Sequence, residues 1–227
     1  MEHTAEVIDR REVPAYDIVE AARYLRMPVS TLRSWFTGQP QFRAVLAPAQ
    51  TAPTTLSFFN LVEAHVVNAI RRDHALPLQI VRQALDTAHQ LLPDSRHPLI
   101  DQRLETDGVD LFVRAFGELV NLSMPNQLML KEVLDLHLRR ILWAADHLPS
   151  KLFPFSGLNR SDDRRTIVID PRIGFGRRVI NGTGIATRVV FERFTAGESI
   201  DALAEDYARS SAEIEDAIRS ESELTAA

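Results

Sequence analysis

In AYDIVEAARYLRMPVSTLRSWF the apolar positions Ile18, Ala21, Ala22 and Leu25 recur at helical spacing behind Asp17 and Glu20, which together form a capping box. Pro28 disfavours helical geometry in the residue before it, so a break is predicted at Arg26 to Pro28 and a second helix from Val29 or Ser30. On that second helix Leu32, Trp35 and Phe36 fall on an inward face, while Ser30, Thr31, Arg33 and Ser34 offer donors outward. The pattern is helix-turn-helix. FRAVLAPAQTAPTTLSFF then predicts two short β-prone runs joined by a Pro, Ala and Thr-rich loop, a hairpin wing carrying Arg43. Two further helices come next, one with Leu61, Val62, His65, Val66 and Ile70 on its stripe. The other, opened by Pro77, carries Ile80, Val81, Leu85 and Ala88.

Over residues 97–113 the Asp107-Gly108 pair between partly alternating runs predicts a connector hairpin. NQLMLKEVLDLHLRRILWAADHL predicts one long helix, whose stripe of Leu128, Leu130, Val133, Leu134, Leu138, Ile141 and Leu142 is wider than a solitary helix needs. That stripe either packs on the head or forms a dimer seam. KLFPFSGLNRSDD has the Pro, Gly and polar content of a linker. Beyond it, RRTIVIDP predicts a strand stopped by Pro171. Helices are then predicted through Thr187, Val190, Phe191 and Phe194 until Gly197, over SIDALAEDY, and over SAEIEDAIRS behind a Ser210/Glu213 capping box. The expected fold is mainly α with small β hairpins: a winged helix-turn-helix over 1–92, a hairpin, long helix and linker over 93–157, and a three-helical, homeodomain-like module over 158–227.

Composition narrows the possible functions. The 227 residues contain no cysteine, which removes disulfides, thiolate metal sites and cysteine nucleophiles. There is no apolar run long enough for a membrane span and no secretory layout at the start, so a cytoplasmic protein is expected. The net charge of -5 conceals strong segregation. Residues 21–62 hold Arg23, Arg26, Arg33 and Arg43 and no acid, and residues 164–188 hold Arg164, Arg165, Arg172, Arg177, Arg178 and Arg188 against Asp170 alone. Residues 190–227 then carry ten acids against three arginines. Each basic window is either a contact surface for phosphate or an acidic partner, or an unevenly charged solvated surface.

The second window, DPRIGFGRRVINGTGIATRVV, contains paired glycines suggestive of a phosphate loop. Val179 stands where a dinucleotide fingerprint needs its third glycine, and the window has no lysine for a Walker loop. Histidine spacing gives no metal pattern, Asp162-Asp163 reads as a solvated turn, and Ser156-Gly157 lacks the setting of a nucleophile elbow. No catalytic residues, metal or cofactor are expected, and hence no enzyme.

Residues 13 to 92, above all the spacing of AARYL to TLRSW, resemble the winged helix-turn-helix head of the MerR type. The resemblance implies that the second helix enters the major groove and the wing grips the backbone, which points to Ser30, Thr31, Arg33, Ser34 and Arg43 as DNA-binding residues of an operator-binding dimer. The head departs from that type in lacking the long coiled coil that usually comes after it. Residues 164 to 220 are similar to the family catalogued as domain of unknown function 433, with Arg178 where that family usually has Pro and Gly184 where it usually has Arg.

Members of the latter family look like antitoxins encoded beside PIN-like ribonuclease toxins, and the combination with a MerR-like head resembles a longer VapB-type antitoxin. PIN-type nucleases cluster carboxylates around Mg²⁺, and a guanidinium can occupy such a site bidentately. The resemblance therefore points to Arg177 and Arg178, then Arg164, Arg165 and Arg172, as toxin-binding residues in a complex or homodimer. The alternative is that these arginines cap loops or pair with the acidic last helix. That helix, with Glu213, Glu215, Asp216 and Glu221 against Arg219, repels phosphate, so DNA contact is expected from the head alone. The rival function is a MerR-like regulator whose C-terminal part binds an effector or another protein.

Overall fold

The structure, a computed structural model, describes residues 8–72, 78–104, 108–155 and 164–225. It is mainly helical with two small antiparallel sheets. The head begins with strand β1 (Tyr16–Asp17), helix α1 (Ile18–Tyr24) and helix α2 (Val29–Thr37). Asp17 Oδ1 caps α1 by accepting from the Glu20 amide at 2.7 Å. The Glu20 carboxylate does not complete a capping box; it accepts from the Tyr24 hydroxyl at 2.9 Å and pairs with Arg177. Leu32, Trp35 and Phe36 are buried as their spacing predicts.

The wing is smaller than expected. Only β2 (Gln50–Thr51) and β3 (Thr54–Leu56) form it, and β1 completes a sheet of order β1-β3-β2 through Tyr16↔Leu56 and Gln50↔Thr55. The expected strand around Arg43 is a loop closed by a Gln39↔Phe42 bridge. Asn60 organises the chain on either side of the wing: its amide oxygen accepts from the Ala49 and Ser57 amides at 2.8 and 3.2 Å, and its Nδ2 donates to the Ala47 carbonyl at 2.9 Å. Those bonds satisfy backbone groups that a strand pairing would otherwise have used.

Helices α3 (Phe58–Arg72) and α4 (Leu78–Leu91) agree with their stripes, while Pro77 lies outside the described residues. The connector hairpin is not formed. Asp107 is outside the described residues and Gly108 leads into α5 (Val109–Leu119), because Phe112 and Phe116 stack one helical turn apart with ring centroids 5.7 Å apart. Helix α6 (Met124–Leu138) is shorter than predicted. The buried Arg140 donates to the carbonyls of Phe153, Pro154 and Arg164 at 2.8 to 3.0 Å, and the chain leaves the helix to enter β4 (Ile141–Trp143).

The expected linker begins as a strand, β5 (Pro149–Leu152), followed by the buried Phe153; residues 156–163 lie outside those described. The second sheet has order β4-β5-β6-β7, where β6 is Ile167–Ile169 and β7 is Arg178–Ile180. Leu152↔Ile169 and Ile167↔Ile180 set its register. Strands from before and after residue 157 thus share one sheet, and the main core cluster runs from Tyr16 to Ile169. Helices α7 (Thr187–Thr195), α8 (Ile200–Tyr207) and α9 (Ser211–Thr225) close the chain around a smaller core of Ile180, Val190, Leu203, Ile214 and Ile218. Ser199 caps α8 through the Ala202 amide, and Ser210 and Glu213 form the capping box expected at the start of α9.

Candidate functional site

The outward face of α2 is formed as its spacing predicts. Ser30 and Arg33 are exposed, and Thr31 and Ser34 are half-buried, with the Ser34 hydroxyl donating back to the Thr31 carbonyl at 2.7 Å. A cleft of about 280 Å³ between α1, α2 and the wing is lined by Asp17, Ile18, Val19, Arg33, Thr37 and Thr54, so Arg33 and the wing open onto one side. Arg43 is exposed but lies before the wing. Arg82 of α4 stands 5.8 Å over the Phe42 ring and donates to the Arg43 carbonyl, while Arg71 of α3 stands 5.9 Å over the Trp35 ring. These two arginines pack helices α3 and α4 against α2 and the loop before the wing. Sequence reasoning passed over them because they come from helices remote in sequence.

The five arginines proposed for partner binding separate into different environments. Arg178 is 2% exposed: its guanidinium donates to the Ser220 carbonyl at 3.0 Å, lies 3.9 Å from Glu221 and stands 5.4 Å over the Tyr24 ring. It joins β7 to α9 and to α1, so in this arrangement it cannot reach a partner. Arg164 donates to Asp216 of α9 at 2.9 Å. For these two, pairing with the acidic last helix is what the structure adopts. Arg165 donates to the Arg139 carbonyl and covers the Phe153 ring. Arg172 and Arg177 are 63% and 55% exposed along their side chains, against 51% for Arg164, and Arg165 is exposed as well, so of the five only Arg178 is buried.

Arg172 and Arg177 flank a tight turn. Gly174, Phe175 and Gly176 are successive left-handed residues, with φ of 55°, 56° and 76°. The turn is tied from within by Ile173 N–H to the Asp170 carbonyl at 2.9 Å and Arg177 N–H to the Gly174 carbonyl at 3.0 Å. It is also fastened to the head, because the buried Tyr16 hydroxyl donates to the Gly176 carbonyl at 2.9 Å and Arg177 pairs with Glu20. A Cβ at residue 176 would overlap the Tyr16 hydroxyl, so glycine is required by both space and φ.

Electrostatics reinforce this seating. Burial raises the Tyr16 and Tyr24 hydroxyls well above their usual pKa, with the Glu20 charge adding to it, so both remain protonated donors. Burial alone would push the Asp170 carboxyl up as well. The side-chain and backbone hydrogen bonds from Arg172, together with the Arg172 and Lys151 charges, outweigh it and hold the carboxyl below the usual range.

The architecture defines a helix-turn-helix protein with a strand-and-helix C-terminal module, and comparison with known proteins agrees over both halves. Residues 14–85 match the family described as "Putative DNA-binding HTH domain", and residues 167–219 match the one described as "Protein of unknown function (DUF433)". The Mycobacterium tuberculosis protein named "Putative antitoxin VapB45" is 30% identical, the match covering 92% of this chain and 94% of that one. The chain belongs to the VapB45 family. A solved structure titled "X-ray crystal structure of Rv2018 from Mycobacterium tuberculosis" is also similar, with a TM-score of 0.72 and 30% identity over 91% of this chain and 98% of that one. Among the described residues no helix is long and apolar enough to cross a membrane, and no group of three or more His, Asp and Glu side chains could hold a metal ion.

Proposed function

We propose that this chain is a non-enzymatic, cytoplasmic antitoxin that binds and neutralises a PIN-type ribonuclease and represses the operon encoding both. The observation that carries this reading is the match over nearly the whole chain to a relative named as an antitoxin. The geometry supports a division of labour: DNA is read by Ser30, Thr31, Arg33 and Ser34 with Arg43 beside them, and the nuclease is met by the 172–177 turn. Arg177 and Arg172 take the toxin-facing roles, Arg165 a flanking one, and Arg164 and Arg178 hold the module in shape. A second copy is expected to dock on the exposed apolar residues Leu111, Met124, Leu128 and Met129 of α5 and α6, since paired heads reading paired half-sites gain affinity.

The test is co-expression with the product of the adjacent gene. A stable complex in which that protein's ribonuclease activity is suppressed is the expected result. Two proteins that elute separately, with ribonuclease activity unchanged by the added chain, would remove the reading.

A further inference from the structure

Phe175 is 90% exposed, more than any other large apolar side chain among the described residues. It occupies the middle of three left-handed residues, a conformation that a bulky residue such as phenylalanine rarely adopts, so local preference does not explain it. Packing does not explain it either, since the ring buries almost nothing against its own chain. The turn is nevertheless rigidly built. Backbone bonds close it from Asp170 to Arg177, and the Tyr16 hydroxyl clamps Gly176 directly after Phe175. With its backbone held, the protruding ring binds without the cost of ordering the loop that carries it.

The charges around the ring identify its partner. The surface groups on the turn are the guanidiniums of Arg172 and Arg177, whereas the carboxylates that hold them, Asp170 and Glu20, lie beneath with side chains only 2% and 17% exposed. An aromatic anchor with guanidiniums at its rim has the composition of a protein-binding hot spot. Nucleic acid fits less well. Nearby Arg11 is flanked by Asp9 and Asp146, partly exposed carboxylates that repel phosphate.

We infer that Phe175 is the anchor of the partner-binding surface, inserting into an apolar pocket whose rim carries carboxylates able to accept Arg172 and Arg177. The inference rests on the antitoxin reading above and assigns the pocket to the acidic nuclease.

Full-length wild type, Phe175→Ala and Phe175→Trp are each titrated against the adjacent-gene ribonuclease, with complex formation and RNA cleavage measured together. Phe175→Ala is expected to weaken binding and inhibition at least tenfold with its thermal midpoint unchanged, and Phe175→Trp to retain most of both. Equal binding by wild type and Phe175→Ala overturns the inference and leaves the antitoxin reading intact. Absence of binding by wild type removes that reading and the inference with it. Loss confined to operator binding, or to self-association, would assign the ring to nucleic acid or to a second copy and likewise overturn it.

Discussion

The Tyr16 hydroxyl donates to the Gly176 carbonyl at 2.9 Å across 160 residues of sequence, joining the first strand of the head to the arginine-bearing turn of the C-terminal module. The bond is buried, so removing the donor leaves a carbonyl without its partner, a change that costs about 1–3 kcal/mol. Tyr16→Phe is expected to lower the unfolding free energy by that amount, read as a lower urea midpoint with an unchanged slope. Gly176→Ala should cost at least as much, because it combines a steric overlap with a left-handed φ. Wild-type stability in Gly176→Ala would show that the clamp is not formed in solution.

Arg177 and Arg178 are adjacent in sequence and opposite in exposure. Removing the buried Arg178 should destabilise the protein by several kcal/mol, since Glu221 and the Ser220 carbonyl lose their cation at the β7 to α9 junction. Arg177→Ala should change stability by only about 1 kcal/mol, since the Arg177 side chain is itself half exposed and Glu20 keeps its hydrogen bond from the Tyr24 hydroxyl, yet reduce nuclease inhibition. Thermal melts paired with inhibition assays separate the two. Similar destabilisation by both substitutions would contradict the division.

Much of this architecture is legible because its signals are local. Asp17, Ser199 and Ser210 announce their helices through caps, and Leu32, Trp35 and Phe36 select the buried face of α2. The Asp107-Gly108 pair misled because a dipeptide reports only a turn. Val109, Phe112, Val113 and Phe116 already repeat at helical spacing, a stronger signal for the helix observed there. The early end of α6 had no comparable local sign, because the carbonyls that receive Arg140 come from Phe153, Pro154 and Arg164. The candidate partner surface was half visible for the same reason. Composition located the arginines, but only contacts with Tyr24, Glu20 and Asp216 decide which of them are structural.

Asp170 should give the protein an acid-sensitive step. Its folded pKa is depressed below the usual 3.9 or so, so its contribution to stability is fully present above that value and is lost as pH falls through the folded pKa. Asp9 and Asp146, lowered by hydrogen bonds from Arg11, act in the same window. Stability from these groups is therefore expected to be flat from pH 6 to 8 and to decline below about pH 4. Asp170→Asn should be less stable than wild type at pH 7, with the difference narrowing at pH 3. A constant difference across that range would contradict the linkage.

On the head, Arg33 and Arg43 are expected to fail differently. Arg33 shares the outward face of α2 with Ser30, so Arg33→Ala should cost about 1–3 kcal/mol of operator affinity and relax base preference. Arg43 lies on a loop beside the wing, where a phosphate contact is the expected role, so Arg43→Ala should weaken all sequences alike. The slope of log affinity against log salt should also fall by roughly 0.9 for one lost phosphate contact. Binding titrations at several salt concentrations distinguish the two, and full operator affinity in both variants would move DNA recognition away from this face.

Gly184 tests whether an unusual glycine is demanded by the fold. Unlike Gly176 it has no left-handed φ, and a Cβ built on it meets nothing within 4 Å. The backbone therefore accommodates a side chain, and the departure from the arginine expected from the resemblance to domain of unknown function 433 is a choice of side chain rather than a requirement of the turn. Gly184→Arg is expected to fold normally, with stability changed by no more than about 0.5 kcal/mol, as for other surface substitutions away from special features. A small gain is the more consistent sign, because replacing glycine where the new residue fits restricts the unfolded chain. Urea denaturation of the two proteins decides the point; a loss above about 1 kcal/mol would mean that the space beside Gly184 is filled in solution.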